Sequence, residues 1–251
     1  MKNEIVIGLT LALVACGGGG GSANPVPEPS VSEAKGVYRG NTDTARSLVA
    51  VLQGNGNYYL FYGEKSGHDP VVGAVQGHAT AVAGNLDSRN ARDFNLEGDG
   101  IRDASVSATY VSGQYLTGSV DYGAGESMGF TTTYDDDYEK PADLAVAEGE
   151  YPGRFDTTDG SQYTIVTLTA EGGLSGVTEQ AGGCDFSGDI TPRNDGNLFR
   201  LSLSFDDPDC RYHGQTLHGT LYRHTDSGII YAAALTADRT GSVFFYGRPP
   251  L

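Results

Sequence analysis

The chain has 251 residues, which allows one large domain or two domains of ordinary size. Its 32 Asp and Glu outnumber its 16 Lys and Arg, and the net charge of −16 argues against binding to nucleic acids or to anionic lipid headgroups. The abundance of glycine (37 residues) and tyrosine (15 residues) favours short strands joined by tight turns.

Residues 1–15 have the pattern of a secretory signal peptide. Lys2 gives a positively charged start, and residues 5–15 (IVIGLTLALVA) form an apolar stretch. That stretch is too short to span a membrane and has the length of a signal-peptide core. No later apolar run is long enough to cross a bilayer, so any membrane attachment has to come from this end of the chain.

The leader ends in Leu13-Val14-Ala15-Cys16, which resembles the lipobox of bacterial lipoproteins. The resemblance implies cleavage before Cys16 and transfer of a diacylglyceryl group to its sulfur, and lipoproteins of this family carry several acyl chains, palmitate among them. Each buried methylene of such a chain contributes about 0.8 kcal/mol, and two or more chains give a stable anchor. Gly17, where a retention signal would have Asp, favours the outer membrane. The alternative is an ordinary signal peptide followed by an incidental cysteine.

Residues 16–35 are predicted to be a lipidated tether. The glycine run GGGGGSAN is typical of a flexible linker, and Pro25, Pro27 and Pro29 favour an extended continuation. Such a linker spans about 25 Å as a flexible coil. A cysteine followed by glycines also resembles the tethers of neisserial surface lipoproteins, such as the transferrin- and heparin-binding antigens. The folded part is therefore expected to stand clear of the membrane.

Two short motifs recur in the rest of the chain and indicate an internal repeat. GVYRG at 36–40 returns as GEYPG at 149–153, and GQYLTG at 113–118 returns as GQTLHG at 214–219. We place the first repeat at 36–142 and the second at 143–251. The acidic, proline-containing stretch that starts at Asp135 fits an exposed linker between them.

Each repeat contains about eight segments with strand character. In the first repeat they cover 36–40, 47–53, 57–63, 71–82, 92–98, 103–111, 114–123 and 126–134. In the second they cover 149–155, 162–168, 173–179, 184–191, 197–205, 216–223, 228–237 and 242–247. Apolar residues alternate with polar ones along 198–205, which is the period of a half-buried strand. The sequence predicts an all-β protein of two tandem antiparallel β-barrels or β-sandwiches, with a single fused two-sheet structure as a further alternative.

Once Cys16 is assigned to lipidation, Cys184 and Cys210 remain. An exported protein reaches an oxidising compartment, so we predict that these two form a disulfide. Closing a loop of about 26 residues contributes about 3–4 kcal/mol. Two free thiols or half of a metal site are the alternatives. The segment 183–210 around them also resembles stretches of uncharacterised proteobacterial lipoproteins.

No arrangement typical of catalysis is found in the sequence. There is no nucleophile elbow, since the one G-x-S-x-G match, GESMG at 125–129, runs into a predicted strand and not into the strand-to-helix turn that an elbow requires. The histidines are scattered, with His218 and His224 the one pair that could share a strand face. The acidic runs at 97–103, 135–137 and 206–209 lack the spacing of an EF-hand loop and are interpreted as solvated turns. We therefore predict no catalytic residue, no metal site and no cofactor.

Tyrosines are the remaining signal for binding. Tyr58, Tyr59 and Tyr62 cluster in one predicted hairpin, and amphipathic tyrosine suits an exposed contact surface. The alternative is that they pack inside a barrel. We predict a non-enzymatic lipoprotein that binds a host protein, an envelope protein or a small ligand. The alternatives are an envelope hydrolase that uses loop carboxylates, and an inhibitor or immunity protein.

Overall fold

The computed structural model describes residues 33–65, 71–178 and 183–250. Cys16, the predicted signal peptide and most of the predicted tether lie outside these ranges. The described chain folds into two closed, eight-stranded antiparallel β-barrels in tandem, which confirms the all-β prediction and selects barrels over sandwiches. No helix within the described ranges is long and apolar enough to cross a membrane.

Barrel 1 (residues 36–135) is an up-and-down barrel with one additional short strand. Its strands are β1 (Gly36–Thr42), β2 (Arg46–Leu52), β3 (Asn57–Lys65), β4 (Val71–His78), β5 (Thr80–Val82), β6 (Asn85–Asn95), β7 (Gly100–Val111), β8 (Tyr115–Gly123) and β9 (Glu126–Asp135). β9 pairs with β1, and β4 pairs with β6 to close the ring. The single strand predicted at 71–82 is therefore two strands, since β5 leaves the ring and pairs with the start of β6.

Barrel 2 (residues 149–247) is an uninterrupted eight-stranded meander. Its strands are β10 (Gly149–Thr157), β11 (Gly160–Leu168), β12 (Gly173–Thr178), β13 (Phe186–Pro192), β14 (Phe199–Ser204), β15 (Thr216–Arg223), β16 (Ile230–Leu235) and β17 (Ser242–Gly247). β17 pairs with β10 and closes the ring. The predicted alternation holds in β14, where Phe199, Leu201 and Leu203 are buried in the barrel core.

The recurrent GxYxG motif occupies the same place in both barrels. Tyr38 and Tyr151 lie on the first strand of their barrels, and both are almost completely buried. The Tyr38 hydroxyl donates to the carbonyl of Ala34 at 2.9 Å, and the Tyr151 hydroxyl donates to the carbonyl of Ala147 at 2.8 Å. Each tyrosine thus fastens the chain that enters its barrel, because a buried hydroxyl needs a partner and finds it four residues upstream.

The second recurrent motif does not join equivalent strands. Gly118 lies on β8, the seventh strand of the ring of barrel 1, whereas Gly219 lies on β15, the sixth strand of barrel 2. Both glycines sit where a Cβ atom would overlap the neighbouring strand, at the carbonyl oxygen of Ser107 and of Ala233 respectively. Both motifs contain a glycine because the neighbouring strand lies too close for a side chain. Only the first motif therefore occupies equivalent positions in the two repeats.

The acidic segment between the barrels is packed, and its prediction as a solvated turn is wrong for Asp137. A 3-10 helix (Asp136–Glu139) and the short helix α1 (Leu144–Ala147) connect β9 to β10. The Asp137 carboxylate accepts hydrogen bonds from the Tyr222 hydroxyl at 3.0 Å and the Asn197 amide at 2.9 Å. Burial alone would raise its pKa, but hydrogen bonds from Thr225 and Lys140 outweigh that effect and lower the pKa to about 2.

An apolar interface joins the outer walls of the two barrels. Phe61 and Phe94 of barrel 1 meet Phe244 of barrel 2, with ring centroids 6.5 and 6.1 Å apart. Further buried residues extend this cluster on both sides: Val37, Val49, Val51, Tyr59, Val71, Ala74, Tyr138, Leu198, Tyr222, Tyr231, Ala233, Leu235 and Tyr246. The outward side chains of several strands are therefore as buried as the inward ones.

Two arginines add polar contacts at the edges of this interface. Arg39 forms an ion pair with Asp135 at 2.5 Å, and its guanidinium lies 5.6 Å from the ring centroids of Tyr222 and Tyr231. Arg239, in the turn between β16 and β17, donates to main-chain carbonyls of β4 and β6, at Gln76 and Asn90. Barrel 2 thereby supports barrel 1 next to the pairing that closes its ring.

Candidate functional site

The structure contains the predicted disulfide between Cys184 and Cys210. Cys184 precedes β13, and Cys210 lies in the long connection between β14 and β15. Both belong to the mouth of barrel 2 where the β10–β11 turn also lies. This is the mouth opposite to the one at which the chain enters the barrel.

A pocket of about 240 Å³ opens at this mouth, and we call it the mouth pocket. Barrel mouths are among the preferred positions of small-molecule sites. Its lining combines aromatic, hydroxyl, amide and charged side chains: Phe155, Thr157, Asp159, Ser161, Gln162, Phe205, Asp209, Arg211 and Tyr212, together with Gly160 and Cys184.

Aromatic rings lie at the bottom of the mouth pocket, and Phe155, Phe205 and Tyr212 are each at most 5% exposed. Phe155 and Phe205 have ring centroids 6.3 Å apart, and Phe205 meets Tyr212 at 5.9 Å. Phe186 stacks beneath Phe155 at 4.7 Å. Below this layer barrel 2 is filled with side chains, since the interior cavity found there has a volume of only about 20 Å³. A ligand at this mouth would therefore rest on the aromatic layer and would not enter the barrel.

Hydrogen bonds from neighbouring strands hold the walls of the mouth pocket. The Gln162 side chain accepts from the main-chain amide of Cys184 at 3.1 Å and donates to its carbonyl at 2.9 Å. The Tyr212 hydroxyl accepts from the Ser242 amide at 3.0 Å and donates to the Ser242 carbonyl at 3.2 Å. The walls are therefore fixed before any ligand arrives, which lowers the entropic cost of binding.

The rim of the mouth pocket carries more negative than positive charge. Arg211 forms an ion pair with Asp159, and both side chains are about half exposed. No hydrogen bond or ion pair of the Asp209 carboxylate is found within residues 33–65, 71–178 and 183–250. Hydrogen bonds from the amides of Asp209 and Asp185 lower the pKa of neighbouring Asp207. The acidic run predicted to be a solvated turn thus shapes the rim.

The three tyrosines predicted to bind a ligand lie elsewhere, and each is at most 5% exposed. Tyr59 belongs to the interface between the barrels. Tyr58 points into barrel 1, where its hydroxyl donates to Ser88 at 3.0 Å. Because all three are buried, the prediction of an exposed contact surface is wrong for them, and packing explains them.

Tyr62 takes part in a polar cluster inside barrel 1. Its hydroxyl donates to Asp93 at 2.7 Å, and the Tyr122 hydroxyl donates to the other carboxylate oxygen at 2.8 Å. Arg46 and Arg102 lie over the rings of Tyr62 and Tyr122, 5.5 and 4.4 Å from their centroids. Burial raises the pKa of Asp93 above its ordinary value of 3.8, although the hydrogen bonds from both tyrosines oppose the shift.

We expect Asp93→Asn to leave the melting temperature of barrel 1 unchanged or higher at pH 7. The raised pKa means that the folded protein binds this proton more tightly than the unfolded chain does, so stability falls as pH rises from about 3.9 through the raised pKa. Asparagine can still bond both tyrosine hydroxyls without a buried charge. Thermal unfolding of both proteins between pH 4 and 7 tests this. A marked loss of stability at pH 7 would show that the charged form is the stabilising one.

The histidines do not form a metal centre in the described part of the chain. His224 bonds Ser227 through Nδ1 at 2.9 Å, and its Nε2 lies 3.8 Å from Asp135. Within the three described ranges, no group of three or more His, Cys, Asp or Glu side chains is placed to hold a metal ion.

Sequence reasoning identified the disulfide but missed the pocket beside it. Arg211 and Tyr212 directly follow Cys210, so their proximity to Cys184 followed from the predicted pairing. Phe155 and Gln162 reach the pocket only because the ring of strands closes, and the sequence does not reveal this closure. No known protein family, curated protein or solved structure matches the chain.

Proposed function

We propose that this protein is a lipid-anchored lipoprotein of the bacterial outer membrane that binds a partner at the cell envelope or surface. One observation carries the proposal: the mouth pocket is an open, preorganised concavity on a disulfide-stabilised barrel whose interior is otherwise filled. Rigid scaffolds that present preformed concave sites are typical of binding proteins. The leader and the sequence Leu13-Val14-Ala15-Cys16 support the anchor, and a disulfide suits an exported protein.

The anchor is tested with the full-length chain in its native host. We expect the wild-type protein in the membrane fraction, with a mass that corresponds to a chain beginning at an acylated Cys16. We expect the Cys16→Ala variant to remain as the unprocessed precursor. Protease treatment of intact cells then separates surface display from an orientation toward the periplasm. A wild-type protein released without acyl groups would contradict the anchor.

The binding role is tested by crosslinking in intact cells that produce wild-type protein or Asp209→Asn. We expect a specific crosslinked product from wild-type protein that weakens in the variant. Asp99→Asn, an exposed carboxylate in the β6–β7 turn of barrel 1, is the control and should behave as wild type. A product of equal intensity in all three would place the partner away from the mouth pocket.

The same pocket supports hydrolysis as a second candidate function, because two carboxylates, Asp159 and Asp209, line it together. Paired carboxylates are the minimum that acid–base hydrolysis of glycosidic bonds requires. This alternative predicts release of product from envelope polysaccharide by purified protein, and its loss in Asp159→Asn. Binding without turnover favours the first proposal.

A further inference from the structure

The charges of the mouth pocket select among ligands. Two carboxylates, Asp159 and Asp209, line the pocket together with one guanidinium, Arg211, so the lining carries a net negative charge. Arg211 is already engaged by Asp159, which leaves the Asp209 carboxylate without a partner among the described residues. The whole chain, at −16, also draws cations toward its surface. A positively charged group is therefore the favoured occupant of the rim.

The residues at the bottom of the pocket indicate a second property of the ligand. Phe155, Phe205 and Tyr212 line the pocket beneath the rim, and because each is at most 5% exposed they offer a ligand a small apolar surface that an apolar group would cover. The Gln162 amide uses one N–H and one lone pair in its bonds with the Cys184 main chain, so its orientation is fixed.

We propose that the mouth pocket binds an organic cation that consists of an ammonium group on an apolar body. The ammonium lies at the Asp209 carboxylate, on the same rim as Asp159, and the body lies against the apolar bottom of the pocket. An aromatic amine and the free amino terminus of a peptide with an apolar first residue share this chemistry. The proposal deepens the binding role proposed above and rests on it.

Three probes of similar shape test the charge requirement by calorimetric titration of the purified protein with its disulfide intact. Phenethylamine carries an ammonium group, 2-phenylethanol is its neutral counterpart, and 3-phenylpropionate carries a carboxylate. We expect saturable binding of phenethylamine and at least about tenfold weaker binding of the other two, because a hydrogen bond to a charged group is lost. Binding of phenethylamine should also weaken as salt is added.

Two substitutions on the rim are expected to change the affinity for phenethylamine in opposite directions. Asp209→Asn should weaken phenethylamine binding about tenfold, and Asp99→Asn, on barrel 1, should leave it unchanged. Arg211→Gln should preserve or strengthen binding, because it removes a positive charge and frees Asp159 for the ligand. Thermal unfolding of each variant verifies that the barrel is folded.

Two peptides identify the source of the cation. Phe-Gly-Gly with a free amino terminus is compared with the same peptide after acetylation. Tighter binding of the free peptide than of phenethylamine supports a peptide amino terminus, and weaker binding supports a small amine.

The proposal is overturned if phenethylamine does not saturate the protein, if the neutral or anionic probe binds as tightly, or if Asp209→Asn has no effect. These results would leave the crosslinking experiment standing, since a macromolecular partner could still be captured by another surface. Failure of the crosslinking experiment with normal binding of phenethylamine would instead limit the function to a small ligand.

Discussion

Replacing Cys184 and Cys210 together with serine is expected to lower the free energy of unfolding by about 3–4 kcal/mol, which corresponds to roughly 10 °C in melting temperature for a chain of this size. The bridge closes a separation of 26 residues between β13 and the β14–β15 connection. Without it the unfolded chain gains freedom, and the connection that carries Asp209, Arg211 and Tyr212 loses its attachment to the barrel.

Thermal and urea unfolding of the double variant measure this effect. Wild-type protein treated with a reductant is the matched control and should lose the same stability. The reduced protein and the double variant should also lose binding of phenethylamine, because the connection that carries Asp209 and Arg211 is no longer attached to residue 184, whose main chain bonds Gln162 in the pocket wall. An unchanged melting temperature would mean that the surrounding strands alone hold the mouth.

Phe244→Ala is expected to cost about 3–5 kcal/mol and to separate the unfolding of the two barrels into distinct transitions. Phe244 is 2% exposed although it points away from the interior of barrel 2, and it touches Phe61 and Phe94 of barrel 1. Truncation to alanine leaves a cavity between the barrels. Neither barrel can shift to fill this cavity without losing its own strand register.

The neighbouring residue provides a matched control. Phe245 is on the same strand but belongs to the core of barrel 2. Phe245→Ala should destabilise barrel 2 by a similar amount without exposing the outer wall of barrel 1. Hydrogen exchange distinguishes the two variants, since only Phe244→Ala should increase exchange in β3 and β6 of barrel 1. A single transition with little loss of stability in Phe244→Ala would show that the interface contributes little.

The strands were predictable from the sequence because their signals are local. Alternation along 198–205 and glycine-rich turns mark strand and hairpin, and the recurrence of short motifs indicates two modules. Ring closure was not predictable in the same way. It depends on pairing between β4 and β6, and between β9 and β1. These strands are not consecutive in the chain, and no local sequence pattern specifies that they pair.

The interface left a signal that the sequence analysis did not use. β2, β16 and β17 contain uninterrupted apolar runs, and their residues are buried on both faces, as in Leu48–Leu52 and Ile230–Leu235. A continuous apolar run, in contrast to an alternating one, indicates a strand covered on both sides. Asp137 left no such signal, because clustered carboxylates are usually solvated and only the tertiary contacts with Tyr222 and Asn197 show otherwise.

The packed linker has a mechanical consequence. A pull on a ligand held at the mouth pocket would pass through barrel 2 into the Asp137 contacts and the Phe61–Phe244 pair, and from there into β1, the first strand of the described chain. Load is thus shared in parallel by many contacts and is not borne by residues 136–148 alone. If the chain is anchored at Cys16 as proposed, the two barrels would move and resist traction as one rigid unit.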